Sequence, residues 1–260
     1  PDVVDSEADQ CCRARARVMG LNRDYCWVGR YVDYEWEHGR HVFRRAVPDV
    51  RGWRALEFGC NYGASSIVLA ALGAEVRAVD VDAGAVALAR DNAARYGLAD
   101  RIEFLHVERS TQLPYATGQF DLVTCNSVLE YVPPGLLRAV QAEIDRVLRV
   151  GGTLLVSGTS NRLWPREVHS GAWLVNYLPR WLDDTPLLRG TPERGLFPWQ
   201  VLGGFAAAGA SYRNLDAQDA GAAYLGARAD MGMSAGRLAA LAFAHRALNL
   251  FGASVGLVTP

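Results

Sequence analysis

Five short apolar runs divide the middle of the chain, and turn-forming or polar residues follow each of them. Residues 53–58, 75–80, 102–107, 120–126 and 153–159 are rich in Val, Ile, Leu or Phe and predict strands. The stretches between them change period. "DAGAVALARDNAARYG" offers Asp82 as an N-cap and Gly97 as a stop. "PPGLLRAVQAEIDRVLRVGG" opens on prolines, closes on glycines, and repeats apolar residues at Leu136/Leu137, Val140, Ile144 and Val147/Leu148. That spacing is one face of a helix. Strands alternating with helices predict an α/β fold: a doubly wound, mostly parallel sheet with right-handed crossovers and helices on both faces. Ligands of such sheets bind beyond the carboxyl ends of the strands, where strand order reverses.

The flanks read differently. Residues 1–46 are helical in pattern, arginine-rich, and carry the aromatic cluster "YCWVGRYVDYEWEHGRHVF", which suits an N-terminal lid. Residues 47–160 form the core. Residues 161–200 contain four tryptophans (Trp164, Trp173, Trp181, Trp199), several prolines and little periodicity, the character of an inserted cap after strand five. Residues 201–260 return to helix, with "SYRNLDAQ" as a further strand candidate, and complete the core.

Composition removes some functions. With 27 basic and 28 acidic residues in 260, the formal charge is −1, so no overall basic field speaks for nucleic acid. All the basic residues are arginine, which excludes Schiff-base and P-loop lysine chemistry. The five cysteines (Cys11, Cys12, Cys26, Cys60, Cys125) make neither a CxxC pair nor a zinc spacing. With no signal-like opening segment, they predict reduced thiols in a cytoplasmic protein. The tail "LAALAFAHRALNLFGASVGLV" is interrupted by His245, Arg246 and Asn249. Its apolar runs fall short of the ~18 residues of a span, which favours a packed C-terminal helix over a membrane-surface one.

The turn after the first strand carries the chemistry. "ALEFGCNYGASS" contains Glu57-x-Gly59-x-x-x-Gly63 and lacks the central glycine through which a dinucleotide's pyrophosphate approaches the backbone. No Gly-Lys-Ser/Thr is present, so a P-loop also fails. At the end of the second strand, "RAVD" places Asp80 where a carboxylate can accept both hydroxyls of a ribose, although a helix-capping role competes. A turn without a phosphate cradle, beside a ribose-reading acid, suits a nucleoside bearing a compact zwitterion.

Together with "AVDVD", "LPYATGQFDLVTCNSVLEYVPP" and "VLRVGGTLLV", this turn resembles the class I S-adenosylmethionine-dependent methyltransferases over roughly residues 53–159. The resemblance implies a Rossmann-like core and S-adenosylmethionine as cofactor. It implies that Gly59 and Gly63 admit the methionine moiety, with Cys60 beside them and Glu57 near the amino group. Asp80 would hold the ribose and Val81 would lie on the adenine. Glu108, Arg109 or Ser110, in a segment one residue longer than the family's commonest pattern, would reach the adenine edge. Asn126 would face the methyl-donor end.

The sulfonium is already a good leaving group, so the protein must align the acceptor and, for a hydroxyl, remove a proton. A second, shorter resemblance, Asn161-Arg162-x-x-Pro165-x-Glu167-x-His169, to bacterial methyltransferases of polysaccharide and natural-product pathways implies His169 as base with Glu167 orienting or replacing it. His38 and His41 are the reserves, while His106 and His245 read as structural. Tyr31, Tyr34, Trp164 and Trp173 are the acceptor-side candidates; aromatic faces also favour a sulfonium. Metal ligands at usable spacing are missing from the sequence. The expected function is O-methylation of a small molecule in secondary-metabolite or glycan biosynthesis. N- or C-methylation and an inactive methyltransferase-like binding protein are the alternatives. The expected protein has no nucleic-acid partner and no transmembrane segment, and works alone or as a homodimer.

Overall fold

The computed structural model describes residues 1–21, 30–163, 165–167, 170–182, 185, 195–206, 212 and 222–251. One sheet is built from β1 (Arg54–Phe58), β2 (Glu75–Asp80), β3 (Ile102–His106), β4 (Phe120–Asn126) and β5 (Leu148–Ser157). Its order is β3-β2-β1-β4-β5, and every neighbouring pair is parallel. The order reverses between β1 and β4, which puts the ligand crevice at their carboxyl ends.

Alternation along each strand decides which side chain serves which layer. Ala55, Val76, Ala78 and Leu122 join the core under α4 (Ala64–Ala71) and α5 (Ala83–Arg95). Leu56, Phe58, Val79, Val123 and Cys125 join the opposite core, under α6 (Leu137–Val147) and α7 (Pro198–Ala206). The sheet is therefore covered on both faces, as its nearly unbroken apolar strands require. By the same parity, Glu57 and Asn126 share the α4 face with Ala55 and Leu122.

Four of the expected strands lie within a residue of their observed bounds, and the fifth starts earlier. Leu148 caps α6 in an extended conformation and pairs with Phe120, so β5 begins five residues before Thr153. A register shift between Phe120 and Leu122 accommodates the glycines, and Gly151 takes φ +73°.

Before the sheet lie α1 (Ser6–Val18), α2 (Tyr31–Glu37) and α3 (Gly39–Ala46). Helix α1 is capped by Asp5, whose carboxylate accepts the amides of Glu7 and Ala8. It rests on α5 through Cys12, Ala16 and Leu88, with Arg95 bridging to Asp9 at 3.2 Å. Helices α2 and α3 cover α4 instead. After the sheet, α7 is fastened to α6 where Gln141 Nε2 donates to the carbonyls of Gln200 and Val201 at 3.0 and 3.1 Å. Helix α8 (Ala222–Asp230) meets α3 through the Arg45–Asp230 pair at 2.8 Å, and α9 (Ala235–Phe251) follows it. The strand candidate "SYRNLDAQ" lies outside the described residues except for Tyr212, whose hydroxyl donates to Asp145. Among the described residues no helix is long and apolar enough to cross a membrane.

Candidate cofactor and acceptor site

The glycine turn is held by the end of β2. The amides of Gly59 and Cys60 both donate to the Val79 carbonyl, at 2.9 and 3.0 Å. Gly59 has φ +77°, and a Cβ there would stand 2.6 Å from both methyls of Val128. Gly63, at φ +79°, is the N-cap of α4; a Cβ on it would meet Phe104 Cζ at 2.9 Å. Both glycines are required by backbone shape and by space.

Asp80 completes the turn. Its Oδ2 accepts the amide of Asn61 at 2.8 Å, and its Oδ1 accepts that of Asp82 at 3.0 Å. The capping role belongs to Asp82, whose carboxylate accepts Ala85 N–H at the start of α5. Each oxygen of Asp80 keeps acceptor capacity for a diol, and the residue is partly exposed. Val81 beside it is 56% exposed, an apolar side chain free to lie on a flat base. His106, at the end of β3, is bonded through Nε2 to the Val81 carbonyl at 3.1 Å. Glu108 and Arg109 follow on the exposed loop.

Glu57 is buried under α4, and Ser66 Oγ donates to its Oε2. Burial, opposed by this hydrogen bond, pushes its carboxyl up to about 8. Asn126, at the tip of β4, donates through Nδ2 to Ser65 Oγ at 3.1 Å and to Glu35 Oε1 at 3.2 Å. Its Oδ1 accepts Ser157 Oγ at 3.3 Å. Ser127, next in the chain, has φ +54°, and Gly158 packs against both residues.

Glu35, Ser65 and Ser66 are the polar site residues that the sequence reading missed. Glu35 is 4% exposed, accepts from Tyr31 and Ser65 as well as Asn126, and has its carboxyl raised chiefly by burial. A signal was present: Glu35 stands three residues after buried Val32 and four after Tyr31, an acid on the inward stripe of a helix.

Cys60 and Cys125 are buried beside the turn, with burial pushing both thiols up, so neither is an available thiolate. Tyr31 is half-buried and stacks on Tyr34 with ring centroids 5.7 Å apart, while Tyr34 is exposed and lies 4.3 Å from the His38 ring.

The segment after β5 is anchored by buried polar residues. Arg162 donates to the Asn176 and Leu178 carbonyls at 2.7 and 2.9 Å and lies over the Phe197 ring. Glu167 is 1% exposed; its Oε2 accepts the Ser170 amide at 2.5 Å, and its carbonyl accepts that of Gly171. Glu167 thus closes a tight loop. Trp173 is 67% exposed on the neighbouring strand-like turn. His169 and Trp164 lie outside the described residues. Among the described residues no group of three or more His, Cys, Asp or Glu is placed to hold a metal ion.

The donor set suits a cationic nucleoside better than a phosphate: the buried acid Glu57 and the partly exposed carboxylate of Asp80 flank a turn without a basic side chain. Residues 56–156 match the family model described as methyltransferase domain. A Xanthomonas oryzae protein named ubiquinone biosynthesis O-methyltransferase is 34% identical over 51% of this chain and 54% of its own length. An Aromatoleum aromaticum protein of the same name is 30% identical, over 58% of this chain and 67% of its own. The chain thus spans about half the length of the first of these relatives. A crystal structure of a SAM-dependent methyltransferase from Aquifex aeolicus shares the fold, with a TM-score of 0.54 at 15% identity over 77% of this chain and 90% of that one.

Proposed function

The chain belongs to the class I S-adenosylmethionine-dependent methyltransferases, and from that premise we propose that it methylates an oxygen of a small hydroxylated molecule. The observation that carries the cofactor half is Asp80, fixed by two backbone amides at the end of β2, next to the β1 turn, with acceptor capacity left over. The acceptor half is supported by the relatives' names, which pair O-methylation with ubiquinone biosynthesis. A phenolic acceptor of a secondary-metabolite pathway is the first choice, and a glycan hydroxyl the next.

The cofactor supplies an activated methyl group on a good leaving group; the protein's work is placement and proton removal. In this reading Gly59 and Gly63 let the backbone close on the methionine end, and Cys60 packs beside it. Asp80 accepts the ribose hydroxyls, Val81 lies on the adenine, and Glu108 or Arg109 meets its edge. Asn126 borders the transfer end. Residues 1–46 cover the site as a lid, and 161–200 cap the acceptor side with Tyr31, Tyr34, Trp164 and Trp173 against the acceptor. His169 takes the hydroxyl proton, while Glu167, by bonding the Ser170 amide, holds the loop that carries it. Placement alone is worth several orders of magnitude in effective molarity.

The test is a turnover screen with labelled S-adenosylmethionine and phenol, catechol, sugar and amine acceptors, with and without chelator. Methyl ethers formed in chelator would support the reading. Methylation of carbon or nitrogen, or no transfer to any acceptor by protein that binds the cofactor, would overturn the oxygen assignment. Loss of activity on chelation with recovery in magnesium would reveal a metal requirement.

A further inference from the structure

Two acids lie buried on the same side of the sheet, at the crevice end, without an arginine partner. Glu35 (4% exposed) comes from α2 and Glu57 (3% exposed) from β1. Neither forms an ion pair among the described residues. Each is met by hydroxyl and amide donors: Tyr31, Ser65 and Asn126 at Glu35, Ser66 at Glu57. Of the adjacent serines in the first turn of α4, Ser66 serves Glu57 and Ser65 stands between the two carboxyls, bonding Glu35 and contributing to Glu57. The backbone makes room for the outer one, because a Cβ at Gly39 would collide with Glu35 Oε2.

Burying two neighbouring acids with no cation between them is costly, and groups perturbed in this way cluster at functional sites. With Glu57 already read at the cofactor's amino group, we propose that Glu35, on Asn126 at the β4 tip, is a second acid of the cofactor pocket and the one that reads the sulfonium charge. The inference rests on the methyltransferase reading and assigns a binding role to a helix outside the matched family segment of residues 56–156. S-adenosylmethionine carries a sulfonium and an ammonium; its product keeps the ammonium and has a neutral thioether. Glu57, beneath the glycine turn, serves the charge common to both. Glu35 serves the charge that disappears on transfer, which weakens the hold on product and helps it leave.

The two acids also link binding to protons. Burial raises both carboxyls, Glu57 to about 8, so the arrival of a cation favours their ionised forms and the loss of protons to the buffer. The titratable groups facing Glu35 are Tyr31 and His38 from its own helix and its edge, and Glu57 from β1. Ser65 and Asn126 face it from α4 and β4 as hydrogen-bond donors.

Titration calorimetry with S-adenosylmethionine and with S-adenosylhomocysteine, in buffers of different ionisation heat, tests this on the wild type and on Glu35→Gln. The wild type should release more protons on binding the sulfonium than on binding the thioether. Glu35→Gln should weaken the sulfonium ligand about tenfold or more and the thioether by less than about threefold, as a lost charge–charge contact would. Equal losses for both ligands would make Glu35 merely structural and overturn the proposal. Equal proton release for both ligands in the wild type would do the same without any variant having to fold. A wild type that binds neither ligand would instead sink the cofactor reading itself.

Discussion

Asn126 Nδ2 donates to Glu35 Oε1 at 3.2 Å, tying the carboxyl end of β4 to a helix residue 91 positions earlier. The same amide group reaches Ser65 at 3.1 Å, and the carbonyl side takes Ser157 at 3.3 Å. One side chain thus joins α2, α4, β4 and β5 at the crevice. Asn126→Ala would remove these partners and leave Glu35 with fewer donors in a buried setting. A loss of about 1–3 kcal/mol in stability is expected, read by urea denaturation, with weaker cofactor binding. Asn126→Asp should be worse, since it sets a second carboxylate against Glu35. An Asp variant as stable as the wild type would show that the contact is dispensable.

Asp80 anchors the turn, and the ribose role proposed for it can be separated from that anchoring. Asp80→Ala removes both the diol acceptor and the anchor of the Asn61 amide, and should weaken cofactor binding by about 1–3 kcal/mol while loosening the turn. Asp80→Asn keeps one carbonyl acceptor, so it should retain more of the fold than of the affinity. Calorimetry alongside thermal melting distinguishes the two. Unchanged affinity in a folded Asp80→Ala protein would confine Asp80 to backbone anchoring.

Gly63 is at φ +79°, with Phe104 and Ala89 against the place where a Cβ would go. Gly63→Ala therefore combines a left-handed backbone with a clash, and should destabilise by about 1–3 kcal/mol. Gly135 has open space around the same position and no left-handed φ, so Gly135→Ala is the control and should leave the melting temperature nearly unchanged. Equal melting of both variants would remove the argument for a strained turn.

The free protein's stability should fall with rising pH through the range set by Glu57. Its carboxyl is held up at about 8 in the fold, against about 4.3 for an exposed glutamate. Between those values the folded state keeps a proton that the unfolded state has lost, so unfolding becomes easier as pH rises, by up to about 1.4 kcal/mol per pH unit from this group. Above the folded value the penalty is complete. Glu57→Gln should flatten the curve and melt higher than the wild type at pH 8–9 without ligand. A wild-type protein that grows more stable from pH 5 to 8, with no difference in the variant, would refute the burial argument.

The strands and the turn were legible because burial on both faces leaves runs that only a covered parallel sheet explains. The division of labour between Asp80 and Asp82 was partly legible: one ends a strand, the other stands three residues before Ala85 at a helix start. The β5 boundary was not, since Leu148 continues the helical stripe of Ile144 and yet pairs with Phe120. Helical spacing from Tyr31 and Val32 pointed Glu35 inward, but its partners were hidden. Ser65 and Asn126 are 30 and 91 residues away, and no local spacing reports a polar cluster assembled across three elements.

The final expectation concerns the acceptor proton. Glu167 is buried and accepts the Ser170 amide, which fits an orienting role beside His169 better than contact with a substrate. His169→Ala should then lower turnover by about 10²–10⁴-fold with cofactor affinity nearly unchanged. If the proposed base is the neutral His169 ring, the wild-type rate should rise with pH and the variant should lose that limb. Glu167→Gln should act less on the pH profile than on the loop, lowering turnover and melting temperature together. If His169→Ala keeps full turnover while Tyr34 and His38 variants lose it, proton removal belongs to the stacked pair at the end of α2, whose rings lie 4.3 Å apart. If none of the three matters, alignment against the activated methyl accounts for the rate by itself, and the acceptor must be one that ionises without help.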